Sequence, residues 1–480
     1  SGLTLKRGAG GLVTALMGLA EHLDDAIWVC AAASHADTLV AAEHEGHPVE
    51  IAFSPEMHIV DDDTPLGPTL NVRYVEVDRA RHEMFYTQIA NPLLWFVQHG
   101  LYGMATQPDI TAETHKAYDE GYVSVNEMFA DAVAEEVERR DGRAIVMLQD
   151  YHFYLVGERV RERCPDVVMS HFVHIPWPGP DGWRMLPVQM RDGILRGLLG
   201  CDVVAFHTRR SARNFLSCAQ EMLDLPVDFR AGTVQVGDRT VAARAYPISV
   251  DVDAVEKLAA SEEVAERRAA LVAQYLEEDG RLIVRVDRTD PSKNIVRGFR
   301  AFGLMLDQHP ELRGKVTFLA ALMPSRQDVP EYADYLAQVG GVVAEVNARH
   351  HGDGWQPIDM RLQEDMAFAV AAYQIADVLV VNSVNDGMNL VAKEAVLANQ
   401  RDGVLLLSEN TGAHEELGDF ALTVHPFDLQ QQADAMFEAL TMDRQRRHVL
   451  LTAAADRVRS NDVEQWLRSQ LADLDALERD

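Results

Sequence analysis

The stretch RLIVRVDRTDPSKN, residues 281–294, carries the clearest indication of a fold. Its first half is mostly apolar and lacks the strict alternation of a strand with one solvated face. Such a run is typical of a parallel strand buried on both sides. The following loop carries Arg288 and Lys293, so two cations are expected at the carboxyl end of a buried strand.

Short apolar runs of this kind alternate with longer helical patterns along most of the 480 residues. This alternation predicts an α/β fold with parallel sheets, and the length predicts more than one core. The runs form two sets, separated near residue 248 by the stretch AYPISVDVDAVEKL. We therefore predict two doubly wound, Rossmann-like domains facing a central cleft, where the carboxyl ends of the strands bind ligands. The predicted parts are an N-terminal domain (1–247), a C-terminal domain (248–455) and a final amphipathic helix (456–480) that packs back on the N-terminal domain.

The composition excludes several classes of function. The chain has 75 acidic residues against 44 Lys and Arg, a formal charge of −31, which disfavours binding to nucleic acids and anionic membranes. The four cysteines show no CxxC spacing, and no stretch resembles a transmembrane helix or a signal peptide, so we expect reduced thiols in a cytoplasmic protein. We expect neither a metal nor a cofactor. The pair His350-His351, in a Gly- and Asp-rich stretch, is expected to be solvated.

The paired cations of the first stretch have two interpretations. Asp287 and Asp290 could hold Arg288 and Lys293 in a purely structural salt-bridge loop. At the carboxyl end of a buried strand, however, such cations are typical of a clamp on a phosphate or diphosphate, and we favour that interpretation. Arg326, in PSRQD, is a further cation that follows a predicted strand.

The stretch NSVNDGMNLVAKEAV, residues 382–396, predicts an anion site. A buried strand ends, Asp386 and Gly387 make a tight turn, and a helix is expected to begin near Met388. The unpaired N–H groups at a helix start attract anions, and Asp386 can accept hydrogen bonds from sugar hydroxyls. Glu394 lies about two turns further on and needs a donor, which is either a ribose diol or an Arg or Lys of the protein.

Residues of the first domain are expected across the cleft. His174 opens the rigid stretch HIPWPGP after one predicted strand, and Asp150 ends another. The glycine loop GAGGL, residues 8–12, would add backbone amides. Tyr86 and Trp95, judged by spacing alone, are expected in the core. Because no GxGxxG with a following acidic residue is present, these features indicate a nucleotide-sugar glycosyltransferase rather than a dehydrogenase.

Taken in order, these stretches resemble those of the retaining trehalose-6-phosphate synthases. The resemblance runs from Gly10 and Gly11 through FYTQIAN, QDYH, HIPWP, VDRTDPSKN and PSRQDV to the highly specific DGMNLVAKE, over nearly the whole chain. It implies the GT-B fold, with a nucleoside-diphosphate glucose as donor and glucose 6-phosphate as acceptor. The implied product is trehalose 6-phosphate.

The resemblance also implies a role for each matching residue. The implied catalytic set is His174, Arg288, Lys293 and Asp386, with the two cations on the donor diphosphate. The other donor residues would be Gly10, Gly11, Gln363, Glu364, Asp365, Gly387, Met388, Asn389, Leu390, Val391 and, at the ribose, Glu394. The acceptor would contact Trp28, Tyr86, Trp95, Asp150 and Arg326. A strand with an arginine for the acceptor phosphate would precede the glycine loop, where the sequence begins.

Several alternatives stay open. The loop has Thr289, Pro291 and Asn294 where many trehalose-6-phosphate synthases have Leu, an aromatic residue and Gly, and a similar loop occurs in pseudo-glycosyltransferases that join cyclitols. The acidic pair Glu364-Asp365 suits the N–H groups of guanine, so GDP-glucose rivals UDP-glucose as the donor. A catalytically silent sugar-phosphate sensor is a third alternative, which the retained catalytic set disfavours. The sequence does not decide whether the chain forms a homo-oligomer.

Overall fold

The computed structural model describes residues 26–44, 46–52, 69–276, 279–352 and 354–478. Within these ranges the strands form three sheets. The strands are β1 (Ile27–Ala31), β2 (Val49–Ala52), β3 (Thr69–Val75), β4 (Ile145–Gln149), β5 (Val168–Val173), β6 (Val203–Phe206), β7 (Val227–Asp228), β8 (Thr233–Val236), β9 (Arg239–Ala245), β10 (Arg281–Arg288), β11 (Val316–Met323), β12 (Ile358–Leu362), β13 (Val378–Val381), β14 (Val404–Ser408) and β15 (Leu422–Val424).

The C-terminal sheet is parallel throughout, in the order β12-β11-β10-β13-β14-β15. This is a doubly wound order, in which the chain builds outward from β10 in one direction and from β13 in the other. The apolar run of the first stretch lies inside β10, where residues 282–286 are at most 4% exposed. Arg285 interrupts this run because its guanidinium is paired with Asp287 at 2.7 Å. The loops after β10 and β13 flank the switch point of the sheet, where such folds bind ligands.

The N-terminal sheet has the order β4-β5-β6-β9-β8-β7. Strands β4, β5, β6 and β9 are parallel, and β7 and β8 add an antiparallel edge. Among the described residues, β1, β3 and β2 form a separate three-stranded sheet. Asp150 and His174 directly follow β4 and β5, so both lie at the carboxyl edge of the N-terminal sheet.

Helices lie between most of the strands, as βαβ units require. The described α-helices are α1 (His35–Glu43), α2 (Arg79–His82), α3 (Trp95–His99), α4 (Ala112–Lys116), α5 (Ser124–Glu138), α6 (Val156–Arg163), α7 (Pro180–Trp183), α8 (Val188–Leu199), α9 (Arg209–Leu223), α10 (Val252–Ala259), α11 (Glu262–Tyr275), α12 (Ile295–Gln308), α13 (Pro330–His350), α14 (Met366–Ile375), α15 (Leu390–Ala398), α16 (His414–Leu417), α17 (Leu429–Thr441), α18 (Arg444–Arg459) and α19 (Val463–Glu478). Wider π-helical turns span Glu83–Leu94 and Ala117–Val123, and 3₁₀ turns span Tyr151–Phe153, Pro291–Lys293, Pro310–Leu312 and Gly418–Phe420.

The expectation that His350 is solvated is wrong. Helix α13 continues through His350, and the helical turn places this residue in the interior with 4% exposure. Its Nε2 lies 3.5 Å from the Asp307 carboxylate. His351, one residue beyond the helix, is exposed as expected.

Within the described part of the chain, two segments pass between the large N-terminal and C-terminal sheets, and we call them crossings. The first, residues 246–251, leads from β9 into α10. The second passes from α18 into α19, whose Trp466 contacts Phe172 of β5 with ring centroids 5.2 Å apart. One hydrophobic cluster accordingly combines residues of the N-terminal sheet, the C-terminal sheet and α19. The domain boundary at residue 248 stays a prediction.

The α/β class predicted from the sequence is confirmed, since parallel strands alternate with helices in both large sheets. All four cysteines are free thiols. Among the residues described, no helix combines the length and apolarity needed to cross a membrane.

Candidate active site

The residues predicted to bind the donor, here called the donor side, lie at the switch point of the C-terminal sheet. Lys293, after β10, and Asp386, after β13, meet there with Nζ and Oδ2 2.5 Å apart. The same carboxylate oxygen accepts from Asn389 Nδ2 at 3.0 Å and from Ser383 Oγ at 3.3 Å. Burial opposes ionisation of Asp386, but the charge and hydrogen bond of Lys293 outweigh it and hold the pKa of Asp386 below its usual value. Asp386 is therefore an ion-paired carboxylate with a fixed direction.

The helix after β13 begins at Leu390, two residues later than the predicted start near Met388. Asn389 is the N-cap, with a left-handed φ of 83°, and its Oδ1 accepts from Ala392 N–H at 3.1 Å. Gly387 and the buried Met388 form the turn before it. The first helical turn, including Val391, has N–H groups without intrahelical acceptors, as an anion site requires.

Glu394 projects from the same helix into a largely apolar environment. Burial raises the pKa of this carboxyl to about 7, and a hydrogen bond with Tyr373 opposes the shift. Its partner among the described residues is therefore a tyrosine, and the interpretation as an Arg- or Lys-paired glutamate is wrong. The neighbouring lysine, Lys393, pairs with a different carboxylate, that of Glu416, with 2.5 Å between Nζ and Oε2.

The raised pKa of Glu394 predicts a pH-dependent effect on stability. The folded protein keeps a proton that the unfolded chain loses between the ordinary pKa of 4.5 and about 7, so Glu394 destabilises the fold increasingly across that window. A shift of this size would amount to roughly 3 kcal/mol for a fully buried group, and we expect about 1–2 kcal/mol because the side chain is partly solvated. Glu394→Gln should therefore raise the free energy of unfolding by that amount at pH 8, and by about half of it at pH 5.

Thermal unfolding of the wild type and of Glu394→Gln at the two pH values tests this expectation. Glu345→Gln, an exposed glutamate on α13, is the matched control and should change neither melting temperature. An equal effect of Glu394→Gln at pH 5 and pH 8 would contradict the raised pKa.

The residues predicted to bind the acceptor, here called the acceptor side, are organised around Arg326, which has a left-handed φ of 45°. Its guanidinium stacks on Trp95 at 4.3 Å from the ring centroid and donates to Tyr151 Oη at 3.0 Å and to Tyr332 Oη. Asp290 lies 3.8 Å away. Trp95 was expected in the core, and it is buried at 6% exposure, but it also forms the floor under this cation.

Tyr86 and Asp150 border the same region. The Tyr86 ring is stacked between His82 and His152, with centroid distances of 5.4 Å and 5.7 Å. Tyr86 is only half-buried: its side chain packs against the edge of the core, as spacing alone predicted, and its ring stays partly exposed. Asp150 has a left-handed φ of 68°. Burial raises its pKa to about 7, although two backbone N–H groups and the charge of Arg326 oppose the shift.

His174 connects the two sides. Its Nε2 lies 2.8 Å from Gln149 Oε1, and burial, aided by the charge of neighbouring histidines, holds the pKa of His174 well below its usual value. The ring is therefore neutral at physiological pH. The backbone of Gly387 lies directly against His174, since a Cβ at residue 387 would be 2.1 Å from the His174 carbonyl oxygen. The turn that contains Gly387, here called the donor turn, is therefore in backbone contact with the loop after β5.

Some predicted site residues lie elsewhere. Trp28 is in β1 of the separate three-stranded sheet. Asp365 is occupied as the N-cap of α14, accepting from Phe368 N–H at 2.8 Å, and is paired with Arg267 at 3.2 Å. Gln363 and Glu364 are exposed at the end of β12, two strands from the switch point. Gly10 and Gly11 lie outside the described residues.

The three loop residues that depart from the trehalose-6-phosphate synthase pattern have structural explanations. Thr289 Oγ1 accepts from Ser325 N–H at 3.2 Å, which ties the loop to the segment before Arg326. Pro291 begins the 3₁₀ turn that ends at Lys293. Asn294 has a left-handed φ of 58°, a conformation that favours Gly and that Asn tolerates best among the other residues. The changed loop thus keeps the geometry that a glycine would give.

Sequence reasoning missed Tyr151, Tyr332 and His99. Tyr151 lies in the QDYH stretch, two residues after the last residue of β4. This position at the carboxyl end of a strand was the signal in the sequence that could have identified it as a site residue. His99 stacks beneath Trp95 at 4.1 Å, and burial lowers the pKa of His99 to about 4. In the described residues, no group of three or more His, Cys, Asp or Glu has the geometry of a metal site.

Comparisons with known proteins give the family. The family model for glycosyltransferase family 20 matches residues 2–476. An α,α-trehalose-phosphate synthase (UDP-forming) 2 from Aspergillus niger is 34% identical over 396 residues, which is 81% of this chain and 79% of that protein. A validamine 7-phosphate valienyltransferase from Streptomyces hygroscopicus subsp. jinggangensis is 32% identical over 418 residues, 85% of this chain and 80% of that protein.

A solved structure extends the likeness to three dimensions. The crystal structure of an α,α-trehalose-phosphate synthase (UDP-forming) from Burkholderia xenovorans in complex with glucose-6-phosphate matches with a TM-score of 0.81 and 27% identity, over 97% of each chain. The GT-B fold expected from the sequence is confirmed by this likeness and by those to other trehalose-6-phosphate synthases. Because the family match covers almost every residue, the chain belongs to glycosyltransferase family 20.

Proposed function

We propose that this protein transfers glucose from UDP-glucose to glucose 6-phosphate with retention at the anomeric carbon, releasing UDP and trehalose 6-phosphate. The observation that carries the proposal is the backbone contact of Gly387 with His174, which brings two differently built cationic sites together. One contains Lys293 and the start of α15, and suits a diphosphate. The other is Arg326 on Trp95 among tyrosine hydroxyls, and suits a sugar phosphate.

The choice of UDP-glucose over GDP-glucose is supported by the state of Asp365. A carboxylate that reads guanine must accept from N1–H and N2–H₂ of the base with both oxygens. In Asp365 one oxygen caps α14 and the other is paired with Arg267. Uracil offers one ring N–H and needs no free carboxylate. The Aspergillus niger relative is named as UDP-forming, which supports the same choice.

The mechanism follows from where charge develops. As the bond from the anomeric carbon to the diphosphate oxygen breaks, Arg288, Lys293 and the N–H groups of α15 stabilise the negative charge that the diphosphate gains. Asp386 is already held by Lys293, so we infer that it orients hydroxyls of the glucose and does not form a covalent intermediate. The acceptor hydroxyl then attacks from the face of the leaving group, and its proton moves to the departing phosphate oxygen. The new glycosidic bond therefore has the configuration of the old one.

The remaining assignments complete the proposal. We infer that residues 1–247 contribute the acceptor site, that 248–455 bind the donor, and that 456–480 pack on the N-terminal part, where Trp466 meets Phe172. The neutral His174 would hydrogen-bond the donor sugar, and Glu394 the ribose. Four free thiols suit the cytoplasm.

A related second function is a pseudo-glycosyltransferase reaction that joins cyclitols. Its support is the likeness to the valienyltransferase at 32% identity, a value close to that of the trehalose-phosphate synthases. The intact DGMNLVAKE stretch and the geometry of the Asn294 loop favour glucose transfer.

The test is nucleotide release from UDP-glucose and from GDP-glucose, each with and without glucose 6-phosphate, with the sugar product identified by mass and by its lack of a reducing end. We expect release from UDP-glucose that depends on glucose 6-phosphate, together with trehalose 6-phosphate of α,α configuration. Faster release from GDP-glucose would reverse the donor assignment. No release from either donor would favour the cyclitol reaction or a silent sensor.

A further inference from the structure

Lys393 lies inside the DGMNLVAKE stretch, yet the proposed reaction does not use it. Its side chain is 1% exposed and belongs to α15, one residue before Glu394. Its Nζ donates to the main-chain carbonyl of Ile248 at 2.8 Å and lies 2.5 Å from Glu416 Oε2. Lysine is almost never fully buried without partners, so these two contacts define where its ammonium group can be.

Both partners of Lys393 are linked to the crossings between the two large sheets. Ile248 lies in the first crossing, residues 246–251. Glu416 Oε1 accepts from Asn461 Nδ2 at 2.5 Å, and Asn461 lies in the second crossing, between α18 and α19. One buried ammonium group therefore fastens the donor helix to both crossings.

The first crossing, residues 246–251, also contacts a residue next to His174. The N–H of Ile248 lies 3.4 Å from His207 Nδ1, and the His207 ring lies 5.1 Å from the ring of His174. Burial and the charge of Lys393 lower the pKa of His207 to about 3, so His207 is neutral and can accept this hydrogen bond. Trp466 of α19 lies 6.2 Å from the ring of His174. A continuous series of contacts thus joins the donor helix to His174.

We propose that Lys393, paired with Glu416, is a positioning residue that holds the donor helix α15 in register with His174 and the acceptor side. The inference rests on the proposed transfer reaction. Apolar residues of similar size often replace a buried ion pair without loss of stability. They cannot supply directed hydrogen bonds to Ile248 and Asn461, and these bonds fix how the crossings lie against the helix.

The double variant Lys393→Met/Glu416→Leu tests the proposal, because it removes both charges together and leaves neither unpaired. We expect a folded protein with a melting temperature within roughly 5 °C of the wild type and UDP affinity within about threefold. Transfer to glucose 6-phosphate should fall roughly 10- to 100-fold, since displacement of aligned groups by about 1 Å has effects of this size. Hydrolysis of UDP-glucose by water should become a larger share of the remaining turnover.

Amide hydrogen exchange gives a readout that does not depend on activity. The amides of residue 246 and of residues 248–250, and that of Val463, whose N–H donates to Val250 O at 3.2 Å, should exchange faster in the double variant. The control is Arg73→Met/Glu136→Leu, which removes a buried pair at 2.7 Å from an ion-pair network that also includes Glu135, Arg139 and Arg140 and lies outside both crossings. This control should change neither the exchange at the crossings nor the hydrolysed share.

The possible outcomes separate the two proposals. Normal transfer by the double variant, or equal losses of transfer in it and in the control, would overturn the positioning role. Unchanged exchange at the amides of residues 246 and 248–250 would do the same, whatever the reaction. A wild-type protein that makes no trehalose 6-phosphate would reject the proposed function, while faster exchange in the variant would still support the link between Lys393 and the crossings.

Discussion

Arg288→Ala is expected to lower kcat by roughly 10²- to 10³-fold, equivalent to about 2.7–4 kcal/mol, by analogy with the loss of one oxyanion-hole donor. In the described part of the chain, the Arg288 guanidinium lies 5.9 Å from the Trp95 ring centroid and makes no hydrogen bond or close ion pair, although its charge helps to hold the pKa of the buried Asp290 below its usual value. Lys293 differs in this respect, because Asp386 already pairs with it. Arg288 is therefore the cation with the most to gain from a developing diphosphate charge, and its loss should affect the transition state more than the folded protein.

Steady-state kinetics with UDP-glucose and glucose 6-phosphate, combined with thermal unfolding, check this expectation. A stability loss of about 1 kcal/mol would lower the melting temperature by roughly 2–4 °C, and we expect no more than that. Arg300→Ala is the matched control. Arg300 is an exposed arginine on α12, the helix that begins just after the loop that carries Arg288. Near-normal turnover of Arg288→Ala would remove the diphosphate clamp from the mechanism.

The donor side was accessible from the sequence because each of its groups directly follows a strand. A buried parallel strand has a recognisable apolar run, and its carboxyl end is fixed in a doubly wound sheet. Arg288, Lys293 and Asp386 were therefore placed at one edge before the strand order was known. The order β12-β11-β10-β13-β14-β15 then brings the two loops together at the switch point.

The acceptor side was less accessible because its residues meet through tertiary structure. Arg326 is held by Tyr332, six positions away, and by Tyr151, which lies 175 positions earlier in the chain. No local pattern marks such a pairing. The kink at Asn91, whose Oδ1 accepts from Tyr151 Oη at 2.6 Å, depends on the same packing. Spacing alone therefore indicated only a core position for Tyr86, and its place beside Arg326 came from the resemblance.

The residues predicted to contact the nucleobase show a further limit of sequence reasoning. Gln363, Glu364 and Asp365 were assigned by resemblance to a family position, and two acidic side chains then indicated guanine. In the structure Asp365 is the N-cap of α14, a position where a carboxylate is favourable. A residue type that suits a ligand can equally suit the start of a helix, and the sequence alone does not separate these uses.

Gly387→Ala is expected to lower kcat by roughly 10²-fold, because the methyl group would force the donor turn away from His174. An ideal Cβ at residue 387 lies 2.1 Å from the His174 carbonyl oxygen, whereas real Cβ contacts are essentially never under 3.0 Å. The two backbones must therefore separate by about 0.9 Å, the difference between these values. Retreat of the turn is also hindered from behind, since Gly412 packs closely against the carbonyl of Gly387. Whichever of the two backbones moves, the bound donor glucose then lies further from the acceptor site.

A control variant distinguishes the loss of the contact between Gly387 and His174 from a general defect in folding. Gly179→Ala adds the same methyl group in the loop that begins at His174, where nothing described lies within 4 Å, and its φ of −67° suits alanine. We expect Gly179→Ala to retain activity and Gly387→Ala to retain UDP affinity within about tenfold while transfer collapses. Equal activity of the two variants would mean that the contact between Gly387 and His174 is not part of the reacting geometry. The loss of UDP binding and transfer together would instead assign the effect of Gly387→Ala to the donor turn alone.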